Sequence, residues 1–269
     1  MPVDHYENFP VASFLVPARL RRPIEVIYRF ARSADDIADE GAATPAARLA
    51  ALAEYRLELD RIAAGTPPAT PLFVALAATI AEHQLPLQLF RDLLDAFAQD
   101  VIKTRYTDFP ELLDYCRRSA NPVGRLVLHL FGRTEDAHLR QSDCICTALQ
   151  LINFWQDIAI DWEKGRVYLP QCDLPRFRIV ENDIAAGKWS ANWAALMDFQ
   201  TDRARDLMLR GAPLVHALPG RLGWEIRLTV QGGLRILERI RRHRGNVFHH
   251  RPTLQGLDWL LLAGRSLTM

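Results

Sequence analysis

The hydrophobic pattern of the chain is helical over almost its whole length. Apolar residues recur at intervals of three and four, which is the spacing of one face of an α-helix. Alternating apolar and polar runs closed by tight-turn dipeptides, the mark of β-hairpins, are nearly absent. The pattern predicts helices over residues 23–40, 45–63, 71–83, 86–103, 109–119, 122–132, 137–162, 190–210, 220–243 and 253–266.

Two helix starts and one loop punctuate this pattern. Thr44-Pro45 and Asp108-Phe109-Pro110 each place a capping side chain just before a proline, as at the first turn of a helix. The clearest loop, GTPPATP at 65–71, is too short to link two domains. No internal repeat or change of composition divides the chain. We therefore predict one all-α domain over residues 1–269.

Composition excludes several classes of function. The 269 residues are 49% hydrophobic and 24% charged, which is ordinary for a globular protein. A net charge of +1 provides no overall field for nucleic acid, so nucleic acid is not an expected partner. Four cysteines without CxxC spacing predict free structural thiols. The chain shows no signal-peptide pattern and no apolar run of the roughly 20 residues that a membrane span needs, so the expected location is cytoplasmic.

The segment YRFARSADDIAD, residues 28–39, carries the first cluster of acids. On a helix, Tyr28, Arg32, Asp35 and Asp39 form one continuous stripe, with the two carboxylates one turn apart. The surrounding residues are apolar or small, so we expect a largely buried helix whose polar stripe faces a cavity or a polar partner. Asp36 lies off this stripe and is either a supporting group or a surface acid.

The segment QLINFWQDIAIDWEKGRVYLP, residues 150–170, carries the second cluster. Asn153, Asp157 and Asp161 fall on one face of the predicted helix 137–162. One such cluster alone would be interpreted as a solvated helix face. Two clusters amid apolar neighbours instead predict that the helices face each other across a gap lined by oxygen ligands, which are the ligands that Mg²⁺ prefers.

A magnesium site of this kind suits a diphosphate substrate. Mg²⁺ between the acids and the phosphates removes their repulsion and stabilises the charge that develops on a leaving diphosphate. Departure of diphosphate leaves a carbocation, which apolar and aromatic walls would protect from water. The two clusters therefore predict Mg²⁺-assisted departure of diphosphate from an allylic or cyclopropylcarbinyl carbon.

RSADDIAD (32–39) and NFWQDIAIDWEKGRVYLP (153–170) resemble the two aspartate-rich motifs of the squalene and phytoene synthases, which join isoprenoid diphosphates head to head. The resemblance runs from about His5 to Val247. It implies the all-α isoprenoid-synthase fold, a single helical bundle with a central cavity and a Mg²⁺-bound diphosphate at its mouth.

The resemblance also implies roles for individual residues. The expected metal ligands are Asp35, Asp39, Asn153, Asp157 and Asp161, and the four aspartates together with Tyr115, near the reacting carbons, are the expected catalytic residues. The expected substrate-binding residues, which include an N-terminal segment and a flap over the diphosphate, are His5, Phe9, Tyr28, Arg32, Asn121, Asn153, Arg166 and Tyr168.

Three places depart from the usual family pattern, and one of them is QGGLRILERI (231–240), where a tyrosine common in the family is replaced. Tyr6, Glu7 and Asn8 stand where the family usually has Ser and Lys, which would weaken one diphosphate site. Asn121-Pro122 replaces a usual glycine kink; Asn121 could cap the next helix, with Pro122 in its first turn and the amide facing the cavity.

Three segments, ENFPVAS (7–13), ANPVGR (120–125) and QGGLRILERI (231–240), resemble the bacterial hydroxysqualene synthases. This implies conversion of presqualene diphosphate and water to hydroxysqualene and diphosphate, with Mg²⁺ and without nicotinamide. One alternative is condensation of two farnesyl or geranylgeranyl diphosphates to presqualene diphosphate, squalene or phytoene. A more remote alternative is an inactive scaffold homologue, which the retained aspartates disfavour.

The segment 235–251 is locally basic and has two interpretations. It is either a solvated helix end, because cations favour the last turn of a helix, or a contact with anionic lipid. Apolar substrates and products would bring such an enzyme to the membrane surface, so peripheral contact with the membrane is a further expectation. The sequence predicts no particular oligomeric state.

Overall fold

The computed structural model describes residues 17–218, 220–249 and 251–269, and the expected substrate-binding residues His5 and Phe9 lie outside these ranges. Within them there is no β-strand, and Arg105 and Val167 form an isolated parallel bridge. The helices are α1 (Ala18–Asp39), α2 (Pro45–Ala63), α3 (Pro71–His83), α4 (Leu87–Ile102), α5 (Phe109–Ser119), α6 (Asn121–Leu130), α7 (Asp136–Gln156), α8 (Ile158–Glu163), α9 (Asp173–Arg176), α10 (Glu181–Ala185), α11 (Ala191–Gly211), α12 (Leu214–Ala217), α13 (Gly220–Arg242) and α14 (Gly256–Leu267).

The predicted all-α class and the predicted helix starts are confirmed. The Thr44 hydroxyl accepts a hydrogen bond from the Ala47 amide at 3.3 Å, which caps α2. The Asp108 carboxylate accepts from the Glu111 amide at 2.9 Å, which caps α5. Each cap satisfies an amide that has no partner within its own helix.

Two long helices differ from the prediction. α1 begins at Ala18 rather than residue 23, and it carries Pro23 inside its second turn, where one backbone donor is lost and the helix continues. The helix predicted over 137–162 is broken at Asp157, whose backbone is not helical (φ −104°, ψ 14°). Short helices within loops, α9, α10 and α12, have too few residues for a periodic pattern and were not predicted.

The described chain divides into two compact units, and the boundaries fall after α4, within α5 and within α7. Of the described residues, the N-terminal unit comprises 17–103 and Tyr115–Leu139, and the C-terminal unit comprises Thr104–Asp114 and 140–269. The single domain expected over residues 1–269 stays a prediction.

The core of the N-terminal unit is built on the apolar side of α1. Phe30 is fully buried and makes edge-to-face ring contacts with Phe73 of α3 (5.8 Å) and Phe90 of α4 (5.4 Å). Tyr55 of α2 meets Phe73 at 5.0 Å in the same geometry. Such pairs add about 0.5–1.5 kcal/mol each beyond the burial of their area. The aromatic contacts fix which face of α1 turns away from the core.

The C-terminal unit packs three long helices at close range through glycines. A Cβ on Gly211 of α11 would lie 2.6 Å from the carbonyl oxygen of Gln141 on α7. A Cβ on Gly233 of α13 would lie 2.6 Å from the Met208 side chain and 3.1 Å from that of Ile152. α7, α11 and α13 can approach this closely only because no side chain intervenes.

Two further expectations concern thiols and membranes. All four cysteines are free, as predicted: Cys116, Cys144, Cys146 and Cys172. In the part of the chain that the structure describes, no helix is both long and apolar enough to cross a membrane.

Candidate active site

The acidic stripe of α1 lies on its half-buried face. Tyr28, Arg32, Asp35 and Asp39 are all partly exposed. Of the residues between them, Phe30, Ala34 and Ala38 are buried, and the others are partly or fully exposed. α1 is therefore buried along one side, and the prediction of a helix buried on most sides is wrong. The cavity that the stripe was expected to face stays a prediction.

Arg32 balances the charge of this stripe. Its guanidinium lies 2.8 Å from Asp36, 2.8 Å from Glu40 and 3.4 Å from Asp35. Asp36, which had two open interpretations, thus supports Arg32. The arginine holds together three acids that would otherwise repel one another within one and a half turns.

Arg48 of α2 closes the end of α1 that carries the acids. Its guanidinium donates to the carbonyl oxygens of Ile37 (2.8 Å), Gly41 (2.8 Å) and Ala43 (3.1 Å). These carbonyls belong to the last turn of α1 and the turn after it, where intrahelical partners run out. Arg48 therefore fixes the backbone at the end of α1, which carries Asp35 and Asp39, and the turn that follows it.

The second acidic motif spans the break between α7 and α8. Hydrogen bonds of the helical type cross the break, from the Asp157 amide to the Asn153 carbonyl (3.0 Å) and from the Asp161 amide to the Asp157 carbonyl (2.8 Å). The Asn153 side-chain amide donates to the Asp157 carboxylate at 2.9 Å. The prediction of a continuous helix is wrong, but these bonds keep the three residues one turn apart.

Asp157 is bound by an arginine that the sequence reasoning did not assign to the site. The Nε of Arg251 donates to Oδ1 of Asp157, and its Nη2 donates to Oδ2 over 3.0 Å. The pair is partly buried, with side-chain exposures of 37% for Arg251 and 13% for Asp157. The hydrogen bonds to Asp157 raise the pKa of Arg251 against the opposing effect of burial, and the charge of Asp161 contributes in the same direction.

The loop after the second motif, residues 164–170, is anchored within the C-terminal unit. Arg105 donates to the Gly165 carbonyl at 2.7 Å and holds Glu181 through two bonds of 2.6 and 2.9 Å. Donation from Arg105 outweighs burial and lowers the pKa of Glu181. The predicted site residue Arg166 lies in this loop, and its amide donates to the Asp161 carbonyl at 2.8 Å.

Tyr168, the second predicted residue of this loop, is buried. Its ring stacks on that of Phe154 at 3.7 Å between centroids and on that of Tyr106 at 5.7 Å. Phe154 follows Asn153 on α7, so the stack joins the loop directly to the second motif.

Tyr115 is buried in the N-terminal unit and its hydroxyl donates to the Asp100 carboxylate of α4 at 2.7 Å. Asn121 is buried in the first turn of α6, and the residue that precedes the helix is Ala120. The predicted break and the proline in the first turn are confirmed, whereas the prediction that Asn121 caps α6 is wrong: it is already helical, and α6 begins without a side-chain cap.

Four arginines of the basic segment 235–251 form ion pairs, and one of them is Arg251. Arg235 and Arg239 bind the buried Asp258, and Arg241 binds Asp202. Arginines of this segment therefore neutralise carboxylates of the same chain, and the segment also forms the end of α13. Exposed basic residues remain at its turn, at 242–244.

The comparison with known proteins now decides the family. The family model described as squalene/phytoene synthase matches residues 3–258. The chain belongs to the squalene/phytoene synthase family. It is 34% identical to a hydroxysqualene synthase of Zymomonas mobilis subsp. mobilis over 96% of this chain and 88% of that protein. It is 31% identical to a phytoene synthase of Arthrospira platensis over 97% of this chain and 89% of that protein.

A solved structure of the same family gives the fold. The crystal structure of squalene synthase HpnC from Alicyclobacillus acidocaldarius matches with a TM-score of 0.83 at 42% identity, over 89% of this chain and 90% of that one. The fold is thus the all-α isoprenoid-synthase fold, as predicted. Both aspartate-rich motifs of this chain lie inside the range that the family model matches.

The sequence did not predict two arginines and one acid of the candidate site: Arg48, Arg251 and Asp100. Arg48 and Asp100 contact their partners across two helices, which no local spacing reveals. Arg251 is the last residue of the basic segment 235–251, and its place in that segment was the available indication of a role.

Proposed function

We propose that this chain converts presqualene diphosphate and water to hydroxysqualene and diphosphate. The observation that carries the proposal is the presence of an acidic stripe in each unit of a chain that is 34% identical to a hydroxysqualene synthase. The 42% identity to a squalene synthase HpnC supports the same group of reactions.

The donor set of the two motifs fits a magnesium ion. It consists of carboxylate and amide groups, and hard cations take oxygen ligands. Asp35, Asp39, Asn153, Asp157 and Asp161 would hold the metal, which supplies neutralisation of the leaving diphosphate. Mg²⁺ usually binds through one or two carboxylates together with substrate phosphates and water, so phosphate oxygens and water would complete the shell.

The protein side of the reaction has three tasks. Arg32 and Arg166, beside the two motifs, would bind diphosphate oxygens as the C–O bond breaks and the electron pair leaves with diphosphate. The cyclopropylcarbinyl cation then rearranges to an allylic cation. Tyr115 and Tyr28 would face this cation with ring surfaces, which attract positive charge. A water oxygen then bonds to the cation and loses a proton, which gives the alcohol.

A second candidate is condensation of two prenyl diphosphates. It is favoured by the 31% identity to a phytoene synthase, which is close to the identity with the hydroxysqualene synthase. Under this alternative, the same acids would ionise farnesyl or geranylgeranyl diphosphate, and a second prenyl chain would replace water as the nucleophile.

The two candidates are separated by substrate. Purified protein with Mg²⁺ and without nicotinamide should consume presqualene diphosphate and release hydroxysqualene. Consumption of farnesyl or geranylgeranyl diphosphate supplied alone, with presqualene diphosphate left unchanged, would establish the second candidate. Failure to consume any of the three would favour the inactive homologue.

A further inference from the structure

The last helix, α14, turns an apolar stripe to the outside. Leu257, Leu260 and Leu267 are 81%, 73% and 73% exposed, and Leu261 of the same stripe is 37% exposed. Trp259 beside them is 50% exposed. The leucine positions follow the three- and four-residue spacing of one helix face, which carries no charged residue, and Trp259 lies at the edge of that face.

The opposite side of α14 is held by charged groups. The buried Asp258 accepts from Arg235 at 2.8 Å and also from Arg239 on α13. Arg265 donates to Glu238 of α13 at 2.6 Å. This differs from an ordinary surface helix, because charged groups are fixed on the inward side, next to the fully buried Leu262. The ion pairs prevent a rotation that would bury the leucines.

The size of this face argues against a stable protein interface. A helix of twelve residues is about 18 Å long and 10–12 Å wide, so one face covers on the order of 200 Å². A stable dimer buries about 800 Å² on each partner. A lipid surface has no such requirement, since a single apolar stripe can enter the interface between headgroups and acyl chains.

The neighbouring charges also match a lipid surface. The turn that leads from α13 towards α14 exposes Arg242, His243 and Arg244, and the Arg244 guanidinium lies 5.6 Å from the ring of the exposed Trp189. Cations attract anionic headgroups, and tryptophan side chains favour the membrane interface.

We propose that α14 is a membrane-docking helix, which inserts Leu257, Leu260 and Leu267 into the surface of an anionic bilayer. The main lipid contact is therefore assigned to α14 and not to the basic segment 235–251. The exposed arginines of the preceding turn add electrostatic attraction to anionic headgroups. The proposal depends on the surface of α14 alone and does not require the proposed reaction.

Co-sedimentation with vesicles tests this assignment without any substrate. The protein should bind vesicles of phosphatidylcholine and phosphatidylglycerol, and the double variant Leu257→Gln/Leu260→Gln should bind at least about tenfold more weakly. Arg242→Gln should weaken binding by about fivefold, and added salt should reduce that difference. The matched control is Leu57→Gln/Ile102→Gln, which changes two exposed apolar residues of the N-terminal unit and should bind as the unaltered protein does.

Three results would overturn the proposal. They are absence of binding to any vesicle, equal binding by the double variant, and equal loss of binding in the control. A further contrary result would be a dimer in sedimentation velocity that the double variant dissociates, since that would assign the stripe to a second copy. Because the leucines are exposed, circular dichroism should show unchanged helix content in every variant.

Discussion

Single carboxylates of the two motifs differ in their dependence on arginine. Asp35 is 41% exposed at its side chain and shares Arg32 with Asp36 and Glu40. Asp157 is only 13% exposed and binds Arg251 through both carboxylate oxygens. Loss of the charge therefore has different consequences for folding at the two positions.

Replacement of each acid by its amide separates catalysis from stability. Asp35→Asn and Asp157→Asn should both lower turnover by orders of magnitude, because each removes a proposed metal ligand. Asp35→Asn should change the free energy of unfolding by less than about 0.5 kcal/mol. Asp157→Asn should lower it by about 1–2 kcal/mol, because Arg251 loses its charged acceptor. Turnover and urea unfolding measure the two effects, and Mg²⁺-dependent activity retained in both variants would contradict the metal assignment.

Arg251 should compete with a divalent cation for Asp157. The guanidinium occupies the same oxygens that the proposed metal would use, so Arg251→Gln should bind Mg²⁺ or Mn²⁺ more tightly in the absence of substrate. Isothermal titration calorimetry measures this affinity directly. Arg242→Gln, an exposed arginine of the same basic segment, is the control and should leave the affinity unchanged. Weaker metal binding in Arg251→Gln would show that the arginine supports the site.

Sequence reasoning placed the site residues by spacing, and spacing is local. It found the stripe on α1 because every member lies within twelve residues of one helix. It missed the partner of Asp157 because Arg251 is 94 residues away along the chain. Long-range pairs of this kind depend on how helices pack, which no periodicity within one helix encodes.

At the scale of single helices, the end of α1 carries the first motif and depends on Arg48. Arg48→Ala should remove three hydrogen bonds to carbonyls around that end and lower the free energy of unfolding by about 1–3 kcal/mol. Amide exchange should rise selectively in residues 36–43. Arg22→Ala, at an exposed position in α1, is the control and should leave both unchanged. Equal exchange in the two variants would contradict a positioning role for Arg48.

The attachment of α14 should weaken in acid. Burial acts to raise the pKa of Asp258, but the Gln255 amide and the guanidinium groups of Arg235 and Arg239 outweigh it, and the pKa lies below the ordinary value. A lowered pKa in the folded state contributes stability that is present above the ordinary value of about 3.9 and is lost as the pH falls through the folded-state value.

The measurement is the difference in urea midpoint, the gap, between the unaltered protein and Asp258→Asn as a function of pH. The gap in urea midpoint should stay constant from about pH 7 to 5 and narrow below about pH 4. Asp202→Asn removes an exposed partner of Arg241 and should give a small gap, because exposed ion pairs contribute only about 0–1 kcal/mol. A gap for Asp258→Asn that widens in acid would contradict the sign of this linkage.

Helices were predictable where a periodic pattern was long enough and a cap marked its start. α2 and α5 were predicted to the residue, because Thr44 and Asp108 are capping residues that come just before their first turns. The break at Asp157 was not predictable, because the pattern of apolar residues continues through it without interruption. It coincides with contacts from a distant loop, where Arg251 binds Asp157 and the Pro252 carbonyl accepts from Gln156.

At the scale of the whole molecule, the family and the reaction rest on different grounds. The family follows from the match over residues 3–258, and the motifs by themselves were specific enough to predict it. The choice between water and a second prenyl chain as nucleophile depends on the shape of the space around the cation. Spacing of acids along helices carries no information about that shape, so the reaction stays a proposal.

The central claim is that water quenches a cation formed by C–O cleavage, and labelled water tests it most directly. Purified protein is incubated with presqualene diphosphate and Mg²⁺ in H₂¹⁸O, and the alcohol is analysed by mass spectrometry. We predict hydroxysqualene in which the hydroxyl oxygen is ¹⁸O, with unlabelled bridging oxygen retained in the released diphosphate. An alcohol without ¹⁸O, which P–O cleavage would give, or a hydrocarbon without a hydroxyl group, would contradict the account.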